Sequence, residues 1–211
     1  MNFFLWDEME NFFDSIEIFF ASIEMENSAF GINYRYFGFS KYNESKFGLA
    51  VAKRLGDQFA LGVQMDYFHT HFADDYGNVG ILCGEIGLLY QPVDNLMVGA
   101  HLFNVSQSKQ KVNLDDRVPT IMRFGIGYTI QEKATISVET EKDLRMDAVF
   151  KAGLEYTPIG DLYLRCGAST GNLYQYAFGL GYSWKFFTID MAFNHHKFFG
   201  YTPHISIIAK W

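Results

Sequence analysis

The sequence predicts an all-β protein, an antiparallel transmembrane β-barrel of about fourteen strands. Three observations carry this. Apolar and polar residues alternate with period 2 along nearly the whole chain. Phe, Tyr and Trp make up 18% of the 211 residues, with 19 Gly and only 4 Pro, which suits strands and tight turns. The mean hydropathy is nevertheless close to zero, at -0.04, because membrane strands average greasy and polar faces together. There is no run of 18 apolar residues, so a spanning helix is excluded on length while a spanning barrel is not.

The alternation is clearest in three stretches. In "QFALGVQMDY", Phe59, Leu61, Val63, Met65 and Tyr67 share one face, and Ala60, Gly62, Gln64 and Asp66 the other. "IMRFGIGYTIQ" sets Met122, Phe124, Ile126, Tyr128 and Ile130 against Arg123, Gly125, Gly127, Thr129 and Gln131. "YAFGLGYSWK" sets Tyr176, Phe178, Leu180, Tyr182 and Trp184 against Ala177, Gly179, Gly181, Ser183 and Lys185. In a transmembrane barrel the bulky face meets lipid, and the small or charged face points inward. A soluble barrel or sandwich would bury the bulky face and need a charged exterior, yet only 19% of residues are Asp, Glu, Lys or Arg.

A repeat overlies the alternation. "GLAV" at 48, "GLLY" at 87, "GIGY" at 125, "GLEY" at 153 and "GLGY" at 179 each precede a short turn, within "RLGDQ", "QPVDN", "IQEK", "TPIGD" and "WKFF". Their spacing is that of one hairpin, so these five strands run the same way, with return strands beginning near Gln58, Asn95, Ala134, Asp161 and Phe187. At the other end the connections are expected to be longer and more polar: "GFSKYNESK", "HTHFADDYGN", "SQSKQKVNLDDRVP", "EKDLRMD", "STGNLYQ" and "NHHKFFGYTP". Short turns at one rim and long loops at the other is the asymmetry of a bacterial outer-membrane barrel. The terminal strand "YTPHISIIAKW" then finishes on the short-turn side, and Trp211 joins Tyr90, Tyr128, Tyr156, Tyr182 and Trp184 in a periplasmic aromatic belt.

Thirteen strands are expected from about Asp14 onward, and an even number is the rule for bacterial barrels. "NFFLW" is the candidate for a short or incomplete first strand. The expected organisation is a single barrel domain, residues 1–211, with residues 1–14 an atypical N-terminal strand or fragment. "MNFFLWDEMENFF" lacks a basic n-region, a long apolar h-region and a small-residue cleavage site, so no export signal is read in it.

The formal charge of -7 and pI near 5.3 give no basic footprint, which argues against nucleic acid as a partner. Cys83 and Cys166 read as small wall residues, with a disulfide left open. His69, His71, His195 and His196 gather toward the long-loop rim without a carboxylate or thiol at ligand spacing, so no metal is expected. His204 and Ser206 share a face but lack a nucleophile elbow and an orienting group, and the "GIGY" and "GLGY" stretches sit inside strands. The chain is therefore expected to be no enzyme and to hold no cofactor.

The segments "FGFSKYNESKFGLAVAKRLGDQFALGVQMDYF", "ADDYGN", "GLLYQPVDNLMVGAHLFN", "PTIMRFGIGY", "ISVETEKDL" and "FKAGLEY" carry a resemblance to the PorV/PorQ family of outer-membrane barrels, within the wider FadL-type group of 14-stranded barrels. It spans about Phe30 to Trp211. The resemblance implies a barrel associated with type IX secretion that meets outer-membrane lipid and a secretion-system or secreted-protein partner through its loops. The alternative it implies is a FadL-like channel or transporter for small or hydrophobic solutes; a soluble β-barrel binding protein is the second alternative. The expected inward-facing residues are Arg35, Arg54, Gln64, Asp66, Glu85, Arg123, Glu139, Glu141, Lys151, Glu155, Arg165, Lys185, Asp190, His204 and Lys210. Low-dielectric surroundings make such charges costly unless they pair, so a self-satisfying network across the interior is expected beside a polar pathway.

Overall fold

The computed structural model describes residues 15–39, 42–72, 78–108, 118–171, 175–196 and 200–209. Among them are thirteen strands: β1 Ser15–Met25, β2 Ser28–Phe39, β3 Tyr42–Leu55, β4 Phe59–Phe72, β5 Asn78–Val93, β6 Leu96–Phe103, β7 Ile121–Ile130, β8 Ala134–Asp143, β9 Val149–Ile159, β10 Leu162–Ser169, β11 Gln175–Trp184, β12 Phe187–His196 and β13 Gly200–Ala209. They hydrogen-bond in sequence order within one sheet. Neighbouring strands pair antiparallel, with Ile126 facing Val138 and Phe178 facing Phe193. The all-β antiparallel class is therefore the observed one. Thirteen is odd, and the strand expected to make the number even, Asn2–Trp6, lies outside the described residues.

Most strands run 10 to 16 residues, as long as or longer than the roughly 9–11 residues that cross a bilayer at a tilt. Two of the three strand prolines sit at a ladder irregularity or on a strand with a single described partner. Pro158 lies beside the register shift between β9 and β10, and Pro203 lies in β13, which has one partner strand among the described residues.

Contacts gather in two units, one formed by described residues of Met1–Gly56, Ala60–Gly87 and Leu102–Thr120, the other by Asp57–Phe59, Leu88–His101 and Ile121–Trp211. In both, burial alternates with the sequence. The pattern on β7 is half-buried, exposed, half-buried throughout its length. Phe124 is 50%, Ile126 39%, Phe178 62% and Leu180 47% exposed, whereas Arg123 and Lys151 are mostly covered. The bulky face is thus the outer one. A sheet with this much exposed hydrocarbon and a charged covered face is inverted relative to a water-soluble core.

The short turns fall where the repeat put them, with returns starting at Phe59, Leu96, Ala134, Leu162 and Phe187. Several of the opposite connections are shorter than expected. "GFSKYNESK" is mostly strand, since β2 runs to Phe39 and β3 starts at Tyr42, with Gly38 paired to Asn43. Between Tyr42 and Phe47 both faces carry polar side chains, Glu44 and Lys46 on one and Asn43 and Ser45 on the other, and such a stretch reads as loop when hydrophobicity alone is followed.

The β7–β8 turn places Gln131 and Glu132 at φ 49° and 58°, with the Lys133 amide donating to the Ile130 carbonyl at 3.0 Å. Two left-handed central residues define a type I′ hairpin turn, which favours Asn-Gly. Gln131→Asn with Glu132→Gly is expected to raise stability by about 1 kcal/mol, read as a higher urea midpoint for release from lipid vesicles.

Candidate functional site

The inner face of the first unit holds a compact charged cluster. Lys46 on β3 places its Nζ 3.2 Å from Glu85 Oε1 on β5 and 3.4 Å from Asp66 Oδ2 on β4. Asp66 is fully buried. Its Oδ1 accepts from Gln64 Nε2 at 2.8 Å, while Oδ2 lacks a hydrogen bond and is held by the ammonium's charge. The ammonium also lies 5.5 Å from the Phe68 ring centre and 5.8 Å from that of Phe103, two rings that meet edge to face at 6.2 Å. Such faces are favourable for a partly desolvated cation.

Gly48 makes this cluster possible. A β-carbon there would stand 2.5 Å from Asp66 Oδ1 and 2.6 Å from Asn33 Oδ1, so the absence of a side chain lets groups from β2 and β4 approach over β3. Glycine in the first "GLAV" tetrapeptide is therefore a clearance on the polar face.

In the second unit the charges form a ladder across neighbouring strands. Arg123 Nε donates to Glu141 Oε2 at 2.7 Å, and Lys151 Nζ reaches Glu141 at 3.1 Å and Glu139 at 3.5 Å. Arg165 Nε donates to Glu155 Oε2 at 2.6 Å and its Nη1 to Asp190. Asp190 is on β12 and Arg165 on β10, two strands apart. The bond crosses β11 over Gly179 and Gly181, and a β-carbon on Gly181 would collide with Asp190 Oδ1. Gly181→Val is accordingly expected to break the Arg165–Asp190 bond and cost about 2 kcal/mol, whereas Gly127→Ala, which meets open space, is expected to be nearly silent; urea titration of both variants checks this.

These pairs run sideways along the sheet between strands one or two apart. They form because adjacent inward side chains stand close enough to bond directly. Arg35, on β2, faces Lys46 in the ladder and has a partner of its own. His204 meets Asn194 at 3.2 Å. Lys210 and Trp211 lie outside the described residues. Arg54 is exposed at the end of β3, and Lys185 is in the β11–β12 turn with its ammonium 5.7 Å from the Trp184 ring centre. Tyr90 stacks on Phe59 at 4.5 Å, the Tyr128 hydroxyl accepts from Asn95 Nδ2 at 2.8 Å, and Tyr156, Tyr182 and Trp184 are exposed close to their short turns.

Sequence reasoning missed Lys46. It fell within a stretch read as loop, yet it stands two residues before Gly48 and therefore shares the inner face, a placement that period 2 supplies once the strand is extended. Asn104 was also missed. It is fully buried with φ 54°, its Nδ2 donates to the Val118 carbonyl at 3.0 Å, and its Oδ1 accepts from the Ser108 amide at 2.9 Å and Ser106 Oγ at 3.2 Å. Both cysteines are free, Cys83 buried on the polar side and Cys166 exposed on the apolar side, so there is no disulfide between them.

An apolar outer face, a covered polar face of laterally paired charges and antiparallel order define a sheet of the bacterial outer-membrane-barrel class. Solved structures share this fold. The CymD monoaromatic hydrocarbon channel matches with a TM-score of 0.66 at 12% identity, over 91% of this chain and 81% of that one. The Pseudomonas putida toluene transporter TodX matches with a TM-score of 0.65 at 12% identity, over 82% and 73%. A Pseudomonas aeruginosa FadL homologue matches with a TM-score of 0.61 at 9% identity, over 84% and 69%. No protein-family model matches the chain, and no curated protein matches it in sequence.

Proposed function

We propose that residues 1–211 form one bacterial outer-membrane barrel domain that serves as a FadL-like channel for small hydrophobic solutes. The observation that carries this reading is the shared fold: three solved proteins, a hydrocarbon channel, a toluene transporter and a FadL homologue, share it over more than four fifths of the chain. The bulky outer face suits contact with outer-membrane lipid, and the paired charges suit a wall whose polar groups are satisfied before any solute arrives. The residues Gln64, Asp66, Glu85, Arg123, Glu139, Glu141, Lys151, Glu155, Arg165 and Asp190 would line the path, with Lys46 added to them. Tyr90, Tyr128, Tyr156, Tyr182 and Trp184 would form the periplasmic belt. Chemistry on the solute is not part of the role.

The PorV/PorQ reading, with its secretion-system or secreted-protein partner, rests on the sequence resemblance alone. Uptake decides between the two. Cells carrying the chain in their outer membrane are expected to take up a radiolabelled monoaromatic hydrocarbon several-fold faster than cells with an empty vector. Uptake equal to the control, together with a secreted protein co-purifying from those membranes, would replace the channel by the secretion role.

A further inference from the structure

The outer face of β5 carries Leu82, Ile86, Leu88 and Tyr90 at alternating positions, and the row is broken at Gly84. A β-carbon built on Gly84 would meet nothing within 4 Å. The gap belongs to a cavity of about 480 Å³ in the first unit, bordered by Val63 and Met65 on β4, Leu82 and Ile86 on β5, and Val105 just past β6. Every one of these five side chains is substantially exposed on the apolar face. Glycine inside a strand marks a bulge, a bend or a place where something approaches the backbone closely.

The polar groups at the floor of this cavity are already engaged. The Gly84 carbonyl accepts from the Val105 amide at 2.9 Å, and the Leu82 carbonyl accepts from Ser108 Oγ. Ser106 Oγ is bonded to Asn104 and Ser108. An occupant is therefore asked for no hydrogen bonds. Water needs two to four polar partners to stay in such a recess, and an empty one forfeits the dispersion contacts of its walls. A saturated hydrocarbon chain meets both conditions, and the volume lies in the range that takes a small ligand.

We propose that this recess is a binding site for one acyl chain of an outer-membrane lipid, seated over Gly84 between Met65 and Val105. The assignment rests on the membrane reading given under Proposed function. It goes beyond that reading because it gives the wall a specific lipid ligand, separate from any solute on the polar face. The lipid is the committed source because the recess is continuous with the apolar outer face, so acyl chains stand at its mouth whenever the barrel is embedded.

The test uses the full chain refolded into vesicles of phosphatidylethanolamine and phosphatidylglycerol, checked by flotation, extracted in mild detergent and weighed by native mass spectrometry. The wild type is expected to retain one phospholipid per chain and Gly84→Leu none. The open space around Gly84 and the better strand propensity of leucine favour folding of this variant, and Gly84→Val, which fills less of the recess, is expected to retain an intermediate fraction. Ile126→Leu, on the outer face of the other unit, is expected to keep the lipid. Equal retention by wild type and Gly84→Leu in floating vesicles overturns the acyl-chain site and leaves the channel standing. Failure of every variant to float overturns the membrane reading and this site with it. If vesicles doped with n-hexadecane yield the alkane in place of the phospholipid, the recess belongs to a solute and the lipid assignment falls.

Discussion

Lys46→Met is expected to destabilise the protein by about 3 kcal/mol, measured as the loss in free energy of urea unfolding from lipid vesicles. The ammonium is shared by Asp66, which is fully buried, and by Glu85, and it lies over two phenylalanine rings. Removing it strands two carboxylates close together on a covered face. The cost comes mostly from leaving those charges without their cation, since the direct worth of a covered ion pair is small against its desolvation. The triple variant Lys46→Met, Asp66→Asn, Glu85→Gln is therefore expected to recover to within about 1 kcal/mol of wild type, because neutral amides can hydrogen-bond one another in the same space. If the single variant loses less than the triple, the cluster is not held together by charge. Lys46→Arg is a further probe: the guanidinium keeps the charge but is planar and longer, and Gly48 is the clearance that would have to receive it.

Asn104→Ala is expected to cost about 3 kcal/mol, with Asn104→Gly about 1 kcal/mol less damaging. The residue performs two tasks. Its side chain ties Ser106 and Ser108 on one end of the longest connection to Val118 and Pro119 on the other, and the Thr120 hydroxyl donates to its own carbonyl at 3.4 Å. Its backbone holds φ 54°, which alanine disfavours and glycine tolerates. Both variants lose the side-chain bonds, and only alanine adds backbone strain, which at this φ outweighs the extra unfolded-state freedom of glycine. Limited trypsin digestion gives a second measure. Residues 109–117 carry Lys109, Lys111 and Arg117, and cutting there is expected to quicken in both variants if the two ends come apart. Equal unfolding energies for wild type and both variants would show that the buried asparagine holds nothing.

Much of this fold could be read from residues in order. Period 2 assigned Phe124, Ile126, Phe178 and Leu180 to one face and Arg123, Gly125, Gly179 and Gly181 to the other, and the tetrapeptide repeat placed β3, β5, β7, β9 and β11 in one direction. Strand boundaries at the long-connection rim were legible only in part. From Asn43 to Lys46 both faces of the strand are polar, and a polar strand end looks like a loop to any hydrophobicity count.

The candidate site was half legible. Side-chain alternation gave the inward charges, but not which of them meet. That Arg165 reaches Asp190 depends on β10, β11 and β12 being successive neighbours and on two glycines lying between them, a conjunction of register and clearance. The burial of Asn104 depends on Val118 returning beside it, and the Gly84 recess depends on the chain leaving the strand path after Phe103.

By itself the sequence determined the class of sheet, the direction of its strands and the side that bears the bulky residues, because alternation is a local property of extended backbone that needs no partner strand. Only the tertiary structure decided the pairing of charges, the role of each glycine and the recess on β5. Those arise from atoms brought together from distant positions, where the distance between two side chains is set by strand order and register, which local chain chemistry does not encode.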